Sequence, residues 1–295
     1  MQTELESERL LLHELSAGDI DFIFELVNSP GWIRFIGDRN VRSIEDAKLF
    51  TERVIKNPNV NYWVVRTKDA MIPLGIISFV KRDYLDFHDL GFAFLPHHSK
   101  QGYAYEAALA FLSNSIRKSQ QPFTLATTIK DNSSSIALLT KLGFQFDKQI
   151  NVGTEELLLY SISIDKFLLD SLTRSFFSLF TNRNKQIDLE IINELCLPEI
   201  LIIKKAGLKE EIYSLKTFLE PRKKILTDGT LISFEEKEIQ EETKIIGGIA
   251  MRSSKYSKSG YLNGTYFKQT GDKFFQFIKT VNGWKISSVL WEDEV

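Results

Sequence analysis

The sequence predicts an α/β (α+β) chain of two domains, a mixed α/β unit over residues 1–168 and an α+β unit over 169–295. Three observations carry this. A chain of 295 residues suits two units of about 100–200 residues each. In the first half, short apolar strands alternate with helical stretches, the grammar of a mixed sheet with helices on its faces. From residue 230 onward, long strands follow one another with no helix between them. Helices first and strands after is the order of an α+β unit.

Residues 9–14 read as a strand, and Ser16 to Asp19 as a turn into a helix reaching about residue 27. A second helix opens at Ser43, a capping residue, with Glu45 and Asp46 at the positive end of its dipole. Residues 62–66, 74–81 and 89–95 are rich in β-branched and aromatic side chains and read as strands. A helix over 102–118 is carried by Ala104, Ala107, Ala108, Phe111 and Leu112. A strand at 123–128 and a helix over 133–142 follow. Gly143 stops that helix, because glycine tolerates the left-handed conformation there. Strands at 144–148 and 157–163 complete the unit. Beyond it, 165–181 and 187–195 read as helices, with Pro198 as a breaker. Residues 200–204 read as a strand, and 208–226 as a helix that Pro221 breaks or kinks. Five strands are expected at 231–240, 244–255, 261–269, 273–280 and 284–291, with Asn282-Gly283 a hairpin signal. The boundary at 164–172 has no Gly, Ser or Pro linker, so two coupled domains are expected.

Composition narrows the function. Lys and Arg total 37 against 39 Asp and Glu, a net charge of −2. No basic surplus argues for nucleic acid. One cysteine, Cys196, excludes a disulfide framework or a Cys-rich zinc site. The four histidines, His13, His88, His97 and His98, all lie in the first third. His97 and His98 have no carboxylate or Cys at ligand spacing, so no metal is expected. The start is polar and acidic, unlike a secretory signal. The apolar run at 157–169 contains Asp165 and Lys166 and falls short of the roughly 20 residues of a membrane helix. A cytoplasmic chain without membrane contact is expected.

The informative stretch runs from Asp89 to Ala108. A strand ends at Pro96, a polar loop follows, and Gly102 opens an Ala-rich helix. Such a junction presents unpaired N–H groups at a positive dipole end, a ready site for a pyrophosphate. About thirty residues later come Asn132, Ser135, Lys141 and Gly143-Phe144. Together the two motifs resemble the GNAT acetyltransferase superfamily. The stretches at 31–39 and 81–96 resemble its ribosomal-protein N-terminal acetyltransferase branch. The resemblance covers roughly residues 6–163.

The resemblance implies an acetyl-CoA-dependent N-acetyltransferase. Acetyl-CoA would lie in a V-shaped opening between the strands at 89–95 and 123–128. Its pyrophosphate would be held by the amides of Lys100, Gln101, Gly102, Tyr103 and Ala104, with Asn132 and Ser135 nearby. Phe92 and Phe94 would align the pantetheine through their backbone and polarise the thioester carbonyl. An amine acceptor would attack directly in a ternary complex, once neutral. Two departures stand out. Ser99 and Lys100 hold places where the family loop carries Gln or Arg and then Gly. Leu139 holds the place of a Tyr that reprotonates the thiolate, leaving Ser135 as substitute. Asp89 and His88 are the base candidates. Glu106, one turn into the helix, reads as a helix-stabilising contact. Arg34 and Arg39 belong to a locally basic region that would bind an acidic acceptor group.

Residues from about 172 resemble the nuclear-transport-factor-2-like (SnoaL-like) superfamily: an opening helix at 175–182, a further helix, then long antiparallel strands closing at 283–291. That implies a cone-shaped curved sheet with an apolar pocket, serving substrate binding or homodimerisation. Tyr213, Arg222, Arg252, Tyr256 and Asp293 are candidate pocket polar groups. Phe274, Phe275, Phe277, Trp284 and Trp291 read as packing. The alternative to an enzyme is a degenerate CoA-binding sensor or scaffold with a ligand pocket in its second domain.

Overall fold

In the computed structural model, residues 4–118, 121–184 and 186–294 are described, so the polar start read at residues 1–3 lies outside them. The chain divides into two units, Met1–Ile164 and Asp165–Val295.

The first unit is built on an 8-stranded sheet. Its strands are β1 (Glu4–Glu6), β2 (Leu10–Glu14), β3 (Val60–Thr67), β4 (Pro73–Val80), β5 (Asp89–Phe94), β6 (Phe123–Thr128), β7 (Gln145–Val152) and β8 (Glu155–Ser163). They lie in the order β1-β2-β3-β4-β5-β6-β8-β7, and β5 with β6 is the parallel neighbour pair. Five helices accompany them: α1 (Ile20–Val27), α2 (Pro30–Phe35), α3 (Ile44–Lys56), α4 (Tyr103–Lys118) and α5 (Ser133–Lys141). β1 and α2 were not legible as elements. β1 is a three-residue edge, too short to show a period. α2 carries its own start signal, Ser29 capping the N–H of Trp32 with Pro30 at the first position.

α3 forms as expected. The Ser43 hydroxyl accepts the Asp46 N–H at 3.1 Å, and the Asp46 carboxylate accepts the Ser43 N–H at 3.0 Å, a reciprocal capping box. Ala47, Phe50, Thr51 and Val54, spaced on one helical face, are buried. With Phe22, Ile23 and Leu26 of α1 they cover one face of the sheet at Val64 and Ile76. The opposite face carries α4, whose Phe111 ring lies 5.5 Å from that of Phe79. Beyond α5, Gly143 takes φ +93°, and the Phe144 N–H returns to the Leu139 carbonyl at 3.0 Å.

Asp19, 2% exposed, ties β2 and β3 to the start of α1. It accepts from Arg66 Nη2 at 2.7 Å and from Ser16 Oγ at 2.8 Å, and His13 Nε2 lies 3.1 Å away. Burial pushes its carboxyl up, but these hydrogen bonds outweigh burial and hold it well below the usual range. A depressed folded pKa contributes stability above the unfolded value, about 3.9, and loses it as pH falls through the folded value. Urea midpoints of the native chain should therefore fall between pH 5 and pH 3 more steeply than those of Asp19→Asn. Parallel slopes would refute this role.

The second unit carries a 6-stranded sheet in the order β10-β9-β14-β13-β12-β11. Its elements are α6 (Ile164–Leu179, entered from the last residue of the first unit), α7 (Ile192–Leu195), β9 (Cys196–Ala206), β10 (Lys209–Tyr213), α8 (Leu215–Thr227), β11 (Leu231–Ile246), β12 (Ile249–Leu262), β13 (Thr265–Thr280) and β14 (Gly283–Asp293). Four long strands stand where five were expected. The break expected between 269 and 273 does not occur: Gly271 and Asp272 lie within β13. A Cβ on Gly271 would stand 2.6 Å from the Tyr256 hydroxyl, so glycine is there for close packing within the strand. The turns fall instead at Gly247-Gly248, Asn263-Gly264 and Val281-Asn282. Asn263 and Gly264, at φ +50° and +78°, form a two-residue hairpin turn.

Further expectations change. The helix expected at 208–226 is a strand, β10, and then α8, restarted by Ser214 capping the Thr217 N–H at 3.3 Å. α8 runs through Pro221 without ending. Only Ile192–Leu195 of the 187–195 stretch is helical, and Pro198 lies inside β9, at a register irregularity against β14. There its missing N–H costs no regular ladder bond.

Strand alternation places Phe275 and Phe277 in the core beside Phe176 of α6, with Trp284 and Trp291. Phe274, read as packing, faces outward at 47% exposure. Arg252 is not a pocket group. It is 3% exposed and holds Glu238 of β11 and Asp170 of α6 in one ion cluster.

Candidate functional site

β5 and β6 meet at one register pair, Asp89 with Leu125, and then part. The Leu125 N–H donates to the His88 carbonyl at 2.9 Å. In a continuing parallel ladder the Thr127 N–H would donate to the main chain of β5. It donates instead to Asp89 Oδ1 at 2.9 Å. The other carboxylate oxygen of Asp89 accepts from Arg82 Nε at 2.8 Å and Thr127 Oγ1 at 3.2 Å. A side chain thus takes the place of main chain where the strands separate. Burial pushes the Asp89 carboxyl up from its usual range, while Arg82 and Thr127 pull the other way.

The alternation of β5 decides which groups face the opening. The Leu95 N–H donates to Leu74 of β4 at 2.9 Å, and His88 accepts from β6. Odd-numbered main-chain groups therefore point at β4 and even-numbered ones at the gap. Beyond the last pairing, Phe92 and Phe94 turn their N–H and C=O groups into the opening. Gly91 lets β4 and β5 lie close: a Cβ there would stand 2.5 Å from Ser78 Oγ.

The gap leads to the loop before α4. Lys100 and Gly102 both take left-handed backbone angles, φ +62° and +82°. The structure thus keeps a glycine-like conformation at Lys100 although a lysine stands there, at a cost of roughly 1–2 kcal/mol. Its side chain is exposed and adds a cation beside the loop. Among the described residues, the N–H groups of Lys100, Gln101, Gly102, Tyr103 and Ala104 have no hydrogen-bond partner. They stand at the positive end of the α4 dipole. Arg9 braces the loop from behind, donating to the Gln101 carbonyl at 3.2 Å and lying 4.6 Å from the Tyr103 ring centre. Glu106 accepts from Arg9 Nε at 2.7 Å and Ser7 Oγ at 2.7 Å, so it fastens α4 to the β1–β2 turn.

Asn132 caps α5, its side chain accepting the Ser135 N–H at 3.1 Å. That cap engages Ser135 through its main chain only. Leu139 is 1% exposed, a core position. α5 packs beside α4 and β6.

His88 and Asp89 are not brought together, because successive strand residues face opposite ways. His88 lies on the α4 side, stacked 4.5 Å from Phe79, with Nδ1 at the Gln121 amide. Asp89 lies on the side of α1 and α3. There Tyr62 and Tyr84, two residues the sequence reading missed, stand beside Arg82. Burial raises both phenols, Arg39 and Arg82 opposing it at Tyr62 and Arg82 at Tyr84. Strand alternation could have placed Tyr62, opposite Ser78 and hence in line with Gly91. Arg34 and Arg39 are exposed; Arg34 lies over the Phe35 ring, and Arg39 reaches the Ile36 carbonyl at 3.3 Å. Among the described residues, no group of three or more His, Cys, Asp or Glu is placed to hold a metal. No helix of the described residues is long and apolar enough to cross a membrane.

Residues 9–145 match the family model described as the acetyltransferase (GNAT) domain. The uncharacterized N-acetyltransferase YnaD of Bacillus subtilis (strain 168) is 28% identical over 155 residues, 51% of this chain and 90% of that protein. The uncharacterized N-acetyltransferase YoaA of the same organism is 26% identical over 148 residues, 48% of this chain and 82% of that protein. Among solved structures, a GCN5-related N-acetyltransferase from Brucella melitensis shares the fold, with a TM-score of 0.52 and 13% identity, over 59% of this chain and 85% of that one.

Proposed function

We propose, from the premise that residues 9–145 are a GNAT acetyltransferase domain and the chain is therefore an acyltransferase, that it moves an acetyl group from acetyl-CoA to the amine of a protein N-terminus or a small molecule. The observation that carries this is the pair of unpaired main-chain sets on one path, the groups of Phe92 and Phe94 and the amides of Lys100–Ala104. An extended pantetheine needs partners of the first kind, and a pyrophosphate needs the second.

Bound in the gap, acetyl-CoA supplies the acetyl group as an activated thioester. The N–H groups of Phe92 and Phe94 orient its carbonyl and stabilise charge on the oxygen as the acceptor attacks. The acceptor enters from the side of Tyr62, Tyr84 and Arg82, whose polar surface orders the water that removes the ammonium proton. Ser135, whose main chain the Asn132 cap holds, relays a solvent proton through its hydroxyl to the departing thiolate. Arg34 and Arg39 favour acceptors bearing an acidic group. The second unit, with its helix-then-hairpin order, serves as a SnoaL-like module for acceptor binding or homodimerisation. The chain works in the cytoplasm, without nucleic acid, membrane or metal.

Thiol release from acetyl-CoA over a panel of peptide N-termini, polyamines and amino acids tests this. Turnover is expected with at least one class, and Ser135→Ala should lower kcat by about a hundredfold. CoA binding with no release across the panel would overturn the proposal.

A further inference from the structure

The second unit holds a cavity of about 920 Å³, within the usual range of small-molecule sites, roughly 300–1,000 Å³. Its wall is aromatic, with Phe176, Phe180, Phe218 and Trp291 among the lining side chains. Its charges do not balance. Lys204, Arg222, Lys258, Lys268 and Lys273 line it against Glu236, Asp293 and Glu294, five cations to three carboxylates, and Glu294 is already engaged by Lys255.

Lys273 is 5% exposed and donates to Glu236 Oε1 at 2.9 Å. It sits 4.6 Å from the ring centres of both Phe177 and Tyr256. Lysine on the same inward face as Phe275 and Phe277 breaks an otherwise apolar alternation. Asp293 serves three donors at once: Tyr256 Oη at 2.5 Å, Lys258, and Lys204 at 3.5 Å. One of those two lysines is therefore surplus. Arg222 has no ion-pair partner among the described residues. Its guanidinium lies 3.7 Å from the Phe218 ring centre and donates to the Phe218 carbonyl at 2.9 Å. Burial lowers its pKa, with Tyr213 and Glu236 opposing. Cations taken out of water without countercharge are costly unless an anion completes them.

We infer that this cavity binds a small molecule with a flat apolar body and one acidic group, carboxylate or phosphate, the acid received by Arg222 with Lys204 and the body by the aromatic wall. Arg222 offers the planar donor fork that suits either acid, and its ring contacts and its bond to the Phe218 carbonyl hold that fork in place. The inference concerns the second unit alone and does not rest on acetyl transfer by the first.

Calorimetric titration of the full chain with three probes tests it: 2-naphthoate, the isosteric neutral 2-naphthamide, and 2-naphthyl phosphate. One site per chain is expected, with naphthoate or naphthyl phosphate bound about tenfold tighter than the amide. Whichever acid binds tighter identifies the acid class. Arg222→Gln should remove that preference while leaving the amide affinity within about twofold, and Arg222→Lys should restore part of it. Lys204→Gln, at a half-exposed position, should weaken the acids by about threefold and serves if Arg222→Gln fails to fold. Equal binding of amide and acids by the native chain would overturn the inference. So would an undiminished preference in Arg222→Gln or, should that variant not fold, in Lys204→Gln.

Discussion

Replacing Asp89 by Ala is expected to lower the melting temperature of the first unit by roughly 6–12 °C, for a loss of about 3 kcal/mol. The alanine variant strands a half-buried N–H and a hydroxyl of Thr127 and leaves Arg82 without its carboxylate. Arg82 is 39% exposed, so solvent recovers part of its loss and the Thr127 donor dominates. Asp89→Asn retains an acceptor for that donor and should lose less than half as much. A general base gives another pattern: Ala and Asn equally inactive, with melting unchanged. Calorimetry alongside kcat and the acetyl-CoA KM separates the two. Graded melting losses with a raised KM mark Asp89 as a positioning residue. Unchanged melting in both variants would return it to the role of base.

The second large effect lies at the loop. Gly102→Ala should raise the acetyl-CoA KM about tenfold while kcat changes less, because a side chain at φ +82° costs roughly 1–2 kcal/mol. Crowding is not the cause, since the added Cβ would stand an ordinary 3.5 Å from Arg9 Nη2. The loop would relax to another backbone angle and re-aim its amides. Lys100→Gly moves the other way in stability, because it relieves φ +62° at a residue with a Cβ. Steady-state kinetics with denaturation midpoints of both variants check this. An unchanged KM in Gly102→Ala would mean that the loop amides do not set cofactor affinity.

The first unit was largely readable from its residues because its elements announce themselves locally. Ser43 with Asp46, Gly143 after Leu142, and Pro96 before an Ala-rich helix are short-range signals with fixed geometry. The second unit was less readable because its decisive facts are pairings across strands. Residues 270–272 read as a break until Gly271 is placed opposite Tyr256. Residues 209–213 lie on an edge strand with most side chains in water, so no buried stripe marked them as a strand. At the site, the loop amides follow from a motif, but the place of Asp89 between two strands does not. Nothing in the chain near Asp89 tells of Thr127, 38 residues away. Lys273 was missed for a similar reason: a lysine in a strand reads as solvated until Phe176 and Phe177 of α6 are placed against it.

The parting of β5 from β6 has one more consequence. A sheet ordinarily exposes two edges, and each invites a strand from another chain. Here the sheet has two further edges inside itself, along Phe92 and Phe94 and along the end of β6. Because these edges converge on Asp89, they bound a wedge rather than a free rim. A foreign strand would need the full width of a ladder, about 4.8 Å to each neighbour, and would carry side chains above and below the sheet. A slender chain with amide groups and no side chain on every unit meets no such obstacle. The wedge therefore acts as a filter on self-association, leaving hydrogen-bonding capacity open to one shape of molecule while withholding it from the strand edges of other proteins.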